Sequence, residues 1–212
     1  MNNNLIFDYK KIKDTYINFI LYVLSITKNL IEETSPWNNL NLKPYNRYDK
    51  KLMKEFYYKR SQHILVITLI GLIAEHIVKL ILMKRGISII KNTKNEVKTI
   101  SFENAIKKFL KSNKNNYFDN IKSYNLSIGD NYEYFGFKQI DPKFCLELIR
   151  KSRNSYIHYA NPREEKRGVV WYLYNFLIWL FKREFINDIV NYSNYNLDYI
   201  GDKEVLECFL DN

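Results

Sequence analysis

Residues 141–160 read DPKFCLELIRKSRNSYIHYA, and the spacing of their side chains sets the class of the whole chain. Asp141 suits a helix N-cap, and Pro142 suits the first turn, where its missing N–H is not needed. Beyond them Cys145, Leu148, Ile149, Ser152, Tyr156 and Tyr159 recur at intervals of three and four, which gathers them on one helical face. Glu147, Lys151, Asn154 and His158 gather on the opposite face, with Arg153 between the two. Leu146, Arg150 and Ile157 form a third, mixed stripe, an apolar edge that a second subunit could cover. The spacing therefore predicts a helix over about 141–160 that combines a core face with an Arg-Asn-His polar surface.

The flanking sequence has the same helical character. Residues 8–33 place Ile12, Tyr16, Phe19, Ile20, Val23, Leu24, Ile26, Leu30 and Ile31 on a broad apolar face, ended by Thr34-Ser35-Pro36. Residues 37–48 are Asn-rich with Pro44 and read as a loop. A longer helix follows over about 49–85 and stops at Gly86, a residue suited to a helix C-terminus. Its first part is basic, and its second, ILVITLIGLIAEHIVKLILM, is apolar nearly all round, as a central buried helix should be. Glu75 and Lys79 lie inside it at i,i+4, the spacing of a helical ion pair at the core rim. His76 beside them reads as a packed or hydrogen-bonded histidine and is not assigned to a site.

Residues 87–100 alternate weakly around Asn92-Thr93-Lys94-Asn95, the pattern of a small hairpin or an ordered loop. Ser101 to Ser112 reads as a short helix. The stretch 112–139 is polar and long for a connection, so it reads as a variable insert with room for a short helix at 117–124. After the break at Ala160-Asn161-Pro162, a final long helix over about 163–192 carries Val169, Val170, Leu173, Phe176, Leu177, Leu180, Phe181 and Ile189 on its core face. Trp171 and Trp179 lie elsewhere on it, available to cover a neighbour. The last residues, DKEVLECFLDN, suggest a short acidic helix. No repeat or linker divides residues 1–212. With 46% hydrophobic residues but only 6 Gly and 4 Pro, the expected fold is one all-α bundle of four to six helices, with the small hairpin near 87–100.

A formal charge of +10 and a pI near 9.3 favour polyanionic partners. Two cysteines, Cys145 and Cys208, make no disulfide framework, and Cys145 falls on a core face. Three histidines without Cys–His clustering argue against zinc. The N-terminus, MNNNLIFDYKK, lacks a signal-peptide pattern, and the longest apolar runs, Ile64–Ala74 and Trp171–Phe181, are eleven residues each and too short to span a bilayer. A cytoplasmic protein with no membrane partner is expected.

The segment Arg153-Asn154-Ser155-Tyr156-Ile157-His158, an Arg-Asn followed by three residues and a His, resembles the signature of the HEPN superfamily. Its members are helical bundles of four to five helices, many of them metal-independent endoribonucleases of toxin–antitoxin, abortive-infection and CRISPR-associated systems. The resemblance extends over about 65–192, with the specific part confined to Arg153–His158. It implies a catalytic set of Arg153, Asn154 and His158, a dimer that pairs two motifs, and an acidic-then-basic pair on an apolar helix, here Glu75 and Lys79. In members paired with a nucleotidyltransferase antitoxin, a Tyr often stands two residues after the His. Here that position is Ala160 and the tyrosine is Tyr159, so an abortive-infection or other defence nuclease, under a different regulatory partner or antitoxin, is the better likeness.

The residue types suit that chemistry. Cleaving RNA without metal needs a base for the 2′-hydroxyl, an acid for the departing 5′-oxygen and positive charge at the phosphorane. His158 can move protons near neutral pH. Arg153 presents a planar charged fork to phosphate oxygens, and Asn154, one turn before His158, can orient the imidazole or hold the ribose. Arg153 and His158 are separated by about 140° around the helix axis, so a two-fold homodimer is expected to bring two motif helices into one cleft. Arg150, Lys151, Arg163, Lys166 and Arg167 flank the motif and are candidates to track the RNA backbone. Tyr156 and Tyr159 can stack on bases, but their place on the core face favours packing, with Tyr159 in a supporting role. No cofactor or metal is expected. The alternative is a non-catalytic RNA- or nucleotide-binding helical module, or an interaction subunit of a defence system.

Overall fold

A computed structural model describes residues 9–33, 50–92, 97–113, 117–118, 124–125, 139–140, 142–159 and 167–189. Five α-helices dominate them: α1 Tyr9–Glu33, α2 Lys50–Lys84, α3 Phe102–Ser112, α4 Cys145–Tyr159 and α5 Arg167–Ile189. The all-α expectation holds. Antiparallel strands β1 Ile90–Asn92 and β2 Val97–Thr99 form the small hairpin, with Lys91 opposite Lys98. The loop at 37–48, the acidic C-terminal segment, Cys208 and Asp141 lie outside the described residues.

The architecture follows from α2, which contacts all four other helices. Its burial is not confined to one stripe. Val66, Ile67, Ile70, Ile73, Ala74, Ile77, Val78, Leu80, Ile81 and Leu82 are all buried, and only neighbours on several sides can cover them. Among the described residues, the stretch Ser61–Lys84 is long and apolar enough to cross a membrane by length and composition, although broken by Glu75, His76 and Lys79. The eleven-residue run Ile64–Ala74 read from the sequence stops at Glu75 and so understates it. Its most apolar window is 61% buried inside the fold, as a core helix requires.

Helix α2 ends where a left-handed residue is available. Gly86 adopts φ 70°, its N–H donates to the Met83 carbonyl, and Ile87 N–H donates to Leu82, the paired bonds of a Schellman cap. Beyond it, Arg85 ties three helices together. Its guanidinium donates to Ser112 Oγ and Asn113 Oδ1 at the end of α3, and lies 2.6 Å from Glu184 Oε1 on α5. The Tyr117 hydroxyl donates to the same Glu184 oxygen, and Arg183 stacks over the Tyr117 and Trp179 rings.

Helices α1 and α5 run antiparallel, with the Tyr174 hydroxyl donating to the Leu24 carbonyl and Lys13 Nζ 2.9 Å from Asp188. Helix α3 starts at Ser101, whose hydroxyl accepts from Asn104 N–H, and buries Phe102, Ala105, Ile106 and Phe109 on one face.

Four expectations need correction. Phe19, assigned to the core face of α1, is 36% exposed, while Ile17 and Leu21 are buried. The reason is that Phe19 lies at the edge of the α1–α2 contact, where one side of its ring meets His76 on α2, 4.8 Å between centroids, and the rest stays open to solvent. Trp179, left available for a neighbour, is buried against Phe118 and Phe176 within this chain. Helix α5 is in fact buried all round over 172–181, so its core contacts extend well beyond one face. The short helix expected at 117–124 does not reach its expected end: Tyr117 and Phe118 lie in a turn, residues 119–123 lie outside the described residues, and Tyr124 belongs to strand β3, Tyr124–Asn125, which pairs with β4, Gln139–Ile140. That pairing sets Tyr124 opposite Ile140, sixteen residues downstream, which local propensity does not see.

Burial also shapes the pH response. His63 on α2 is buried, and that burial pushes its imidazole down to about 4 from an ordinary 6.5. Between those values the unfolded chain holds the extra proton, so stability is complete above about pH 6.5 and falls as the pH drops toward 4. Urea unfolding is expected to show a loss of about 2 kcal/mol between pH 7 and pH 5 from this group. His63→Leu should remove most of that slope, and an unchanged slope would show that other groups carry it.

Candidate functional site

The motif segment forms as its spacing requires. A 3-10 turn at Pro142–Phe144 leads into α4, and Cys145, Ile149 and Ser152 are buried on the core face, with Leu148 half-buried. Lys151 is exposed, and Glu147 and Asn154 are half-buried on the other side. Leu146 is buried within the chain and so is not an open apolar edge. It turns inward because α4 packs against both α2 and α3, which widens the covered face to take in this position.

Arg153 is the motif side chain whose setting is most defined. Its aliphatic stem crosses α2 at Gly71, and its head reaches Glu75 one turn further on, with Nη1 3.2 Å from Oε2. The other carboxylate oxygen of Glu75 accepts from Lys79 Nζ at 2.6 Å, and Lys79 also donates to the Thr99 hydroxyl on β2 at 3.3 Å. The ion pair predicted from i,i+4 spacing therefore exists, and the motif arginine joins it. Glu75 is 16% exposed and Lys79 10%, so little water screens the contact. Two cations around one carboxylate leave the cluster with a formal charge of +1. Arg153 Nε is buried and has no hydrogen-bond partner among the described residues.

The surroundings complete one wall. His76 Nδ1–H donates to the Leu72 carbonyl at 2.8 Å, and the ring packs on Phe19 and Tyr16 with centroids 4.8 and 5.5 Å away. This is the packed, hydrogen-bonded histidine that its sequence context suggested. Burial, and after it the charge of Glu75, pushes the Tyr16 phenol up from its ordinary value.

The remaining candidates divide. Arg150 lies 2.9 Å from Glu147 and 3.6 Å from Glu103, so its charge is already answered inside the fold. Lys151 faces solvent. His158 and Tyr159 lie on α4, and Arg167 opens α5, but their side chains fall outside the described residues, as do Arg163 and Lys166 entirely. Among the described residues, no three His, Cys, Asp or Glu side chains cluster as metal ligands would. Sequence spacing missed Gly71 and Thr99. A lone glycine inside an apolar helix is a signal, because it costs about 1 kcal/mol relative to alanine unless something needs the space. Thr99 left no such signal, being brought in by the hairpin. No protein-family model, curated protein or solved structure matches the chain.

Removing the shared carboxylate should be costly. Glu75→Gln leaves Lys79 and Arg153 as neighbouring, poorly hydrated cations, and urea unfolding at pH 7 is expected to show a loss of about 2 kcal/mol, between the exposed-pair and buried-pair ranges. A change below about 0.5 kcal/mol would mean that the contact behaves as an ordinary surface pair.

Proposed function

We propose that this chain is a metal-independent endoribonuclease of the HEPN type, acting in the cytoplasm in phage defence or as a toxin. The observation that carries the reading is the convergence of Arg153 with Glu75 and Lys79. Arg153 belongs to the Arg-Asn-x-x-x-His segment, and the acidic-then-basic pair on the apolar helix stands out independently by its spacing. Two sequence features more than seventy residues apart meet in one charged cluster.

The cluster suits a phosphate. A guanidinium carries five N–H donors in a planar fork. The Glu75 contact holds one nitrogen, while the net positive charge of the trio favours an anion beside it. In the proposed reaction His158 transfers the proton between the 2′-hydroxyl and the leaving 5′-oxygen, and Asn154 orients the imidazole or the ribose. Products are a 2′,3′-cyclic phosphate and a 5′-hydroxyl. A homodimer supplies the second motif helix, because the helical repeat separates positions 153 and 158 by about 7.5 Å along the axis and about 140° around it. Lys151 faces solvent beside the motif and is assigned to the RNA backbone, as are Arg163, Lys166 and Arg167 by their position in the sequence, whereas Arg150 has a structural role between Glu147 and Glu103. An antitoxin or regulatory partner completes the system.

An end-labelled RNA cleavage assay in EDTA tests this. Wild type should cut and leave cyclic phosphate ends, while His158→Ala and Arg153→Ala should each lose at least about a hundredfold in rate, the scale expected for proton transfer and charge stabilisation. Equal cutting by all three proteins, or no cutting at all, would remove the catalytic assignment and leave an RNA-binding module or interaction subunit.

A further inference from the structure

Helix α2 contains one glycine, Gly71, in its most apolar stretch, at a point where a helix prefers almost any other residue. The reason lies across the groove. A Cβ on Gly71 would stand 2.5 Å from Arg153 Cδ and 2.9 Å from both Arg153 Cβ and Cγ. Real Cβ atoms do not make contacts below 3.0 Å, so something would have to shift. A new rotamer moves Cγ and Cδ, but Arg153 Cβ is fixed to the α4 backbone, so relief also requires α4 to back away.

Gly71 and Glu75 are four residues apart on the same face of α2. One supplies a gap for the stem of Arg153, and the other supplies the carboxylate that receives its head at 3.2 Å. We infer that Gly71 is a positioning residue for Arg153: its missing side chain is what allows the guanidinium to reach Glu75 and face a phosphate. The inference deepens the ribonuclease reading and rests on it for the consequence in catalysis. The geometric part, that Gly71 controls where Arg153 lies, stands separately.

The test is Gly71→Ala in the full-length protein, read by RNA cleavage in EDTA and by the NMR signal of the Arg153 Nε–H group. That group is buried in the native fold, so its proton should be protected from exchange. With Arg153 displaced, kcat should fall about tenfold or more, as for a catalytic group moved by about an ångström. KM for RNA should change far less, and the Nε–H signal should shift or exchange away. A variant that cleaves at the wild-type rate with an unchanged Nε–H signal would overturn the inference. If wild type cuts no RNA, the ribonuclease reading fails by itself, and the Nε–H signal alone decides whether Gly71 positions Arg153. Should Gly71→Ala not fold, the double variant Gly71→Ala/Arg153→Gly, compared with Arg153→Gly alone, decides instead, because all three crowding atoms are then gone. Recovery of a cooperative melt supports the inference, and failure to recover overturns it.

Discussion

The structure depends on one constraint: the second half of α2 is apolar nearly all round, so it is stable in water only when other helices surround it. Burial of one large aliphatic side chain contributes roughly 1.5–3 kcal/mol, and α2 buries more than ten apolar residues. Helices α1, α3, α4 and α5 each cover a part of that surface. Arg85 can secure α3 and α5 only because the Gly86 cap stops α2 there and turns the chain away.

Against that background, Glu75 and Lys79 are the exception that locates the candidate site. A carboxylate this poorly exposed needs its charge answered, and burying it unpaired would cost several kcal/mol. Lys79 from the same helix answers one oxygen, and Arg153 from α4 answers the other. The arrangement couples the position of α4 to α2 through charge as well as packing. It also means that the motif arginine is held by the scaffold instead of moving freely, a condition for electrostatic catalysis, where donors must be in place before charge develops.

Much of this could be read in the residues themselves, and the failures have a common cause. Helix periodicity located α1, α2, α3, α4 and α5 because 3.6-residue spacing is a local property. The Gly86 stop and the weak alternation of the hairpin were legible for the same reason. What could not be read was which flank of a helix its neighbours reach. Phe19 lies on an apolar stripe but at its uncovered margin, whereas Leu146 lies on a mixed stripe and is covered by α2 and α3. Tyr124 joined a strand through a distant partner. Pairing and covering are decided by the arrangement of elements, not by their individual patterns.

The candidate site divides along the same line. The sequence alone determined that α4 would form with Arg153, Asn154 and Lys151 off its buried core line, and that Glu75 and Lys79 would pair, since both follow from spacing within one helix. Only the tertiary structure decided that Arg153 would lie across Gly71 and share the Glu75 carboxylate, and that Thr99 would meet Lys79. Those contacts join residues twenty or more positions apart, and they exist because α4 and the hairpin pack onto α2 at heights that no single helix encodes.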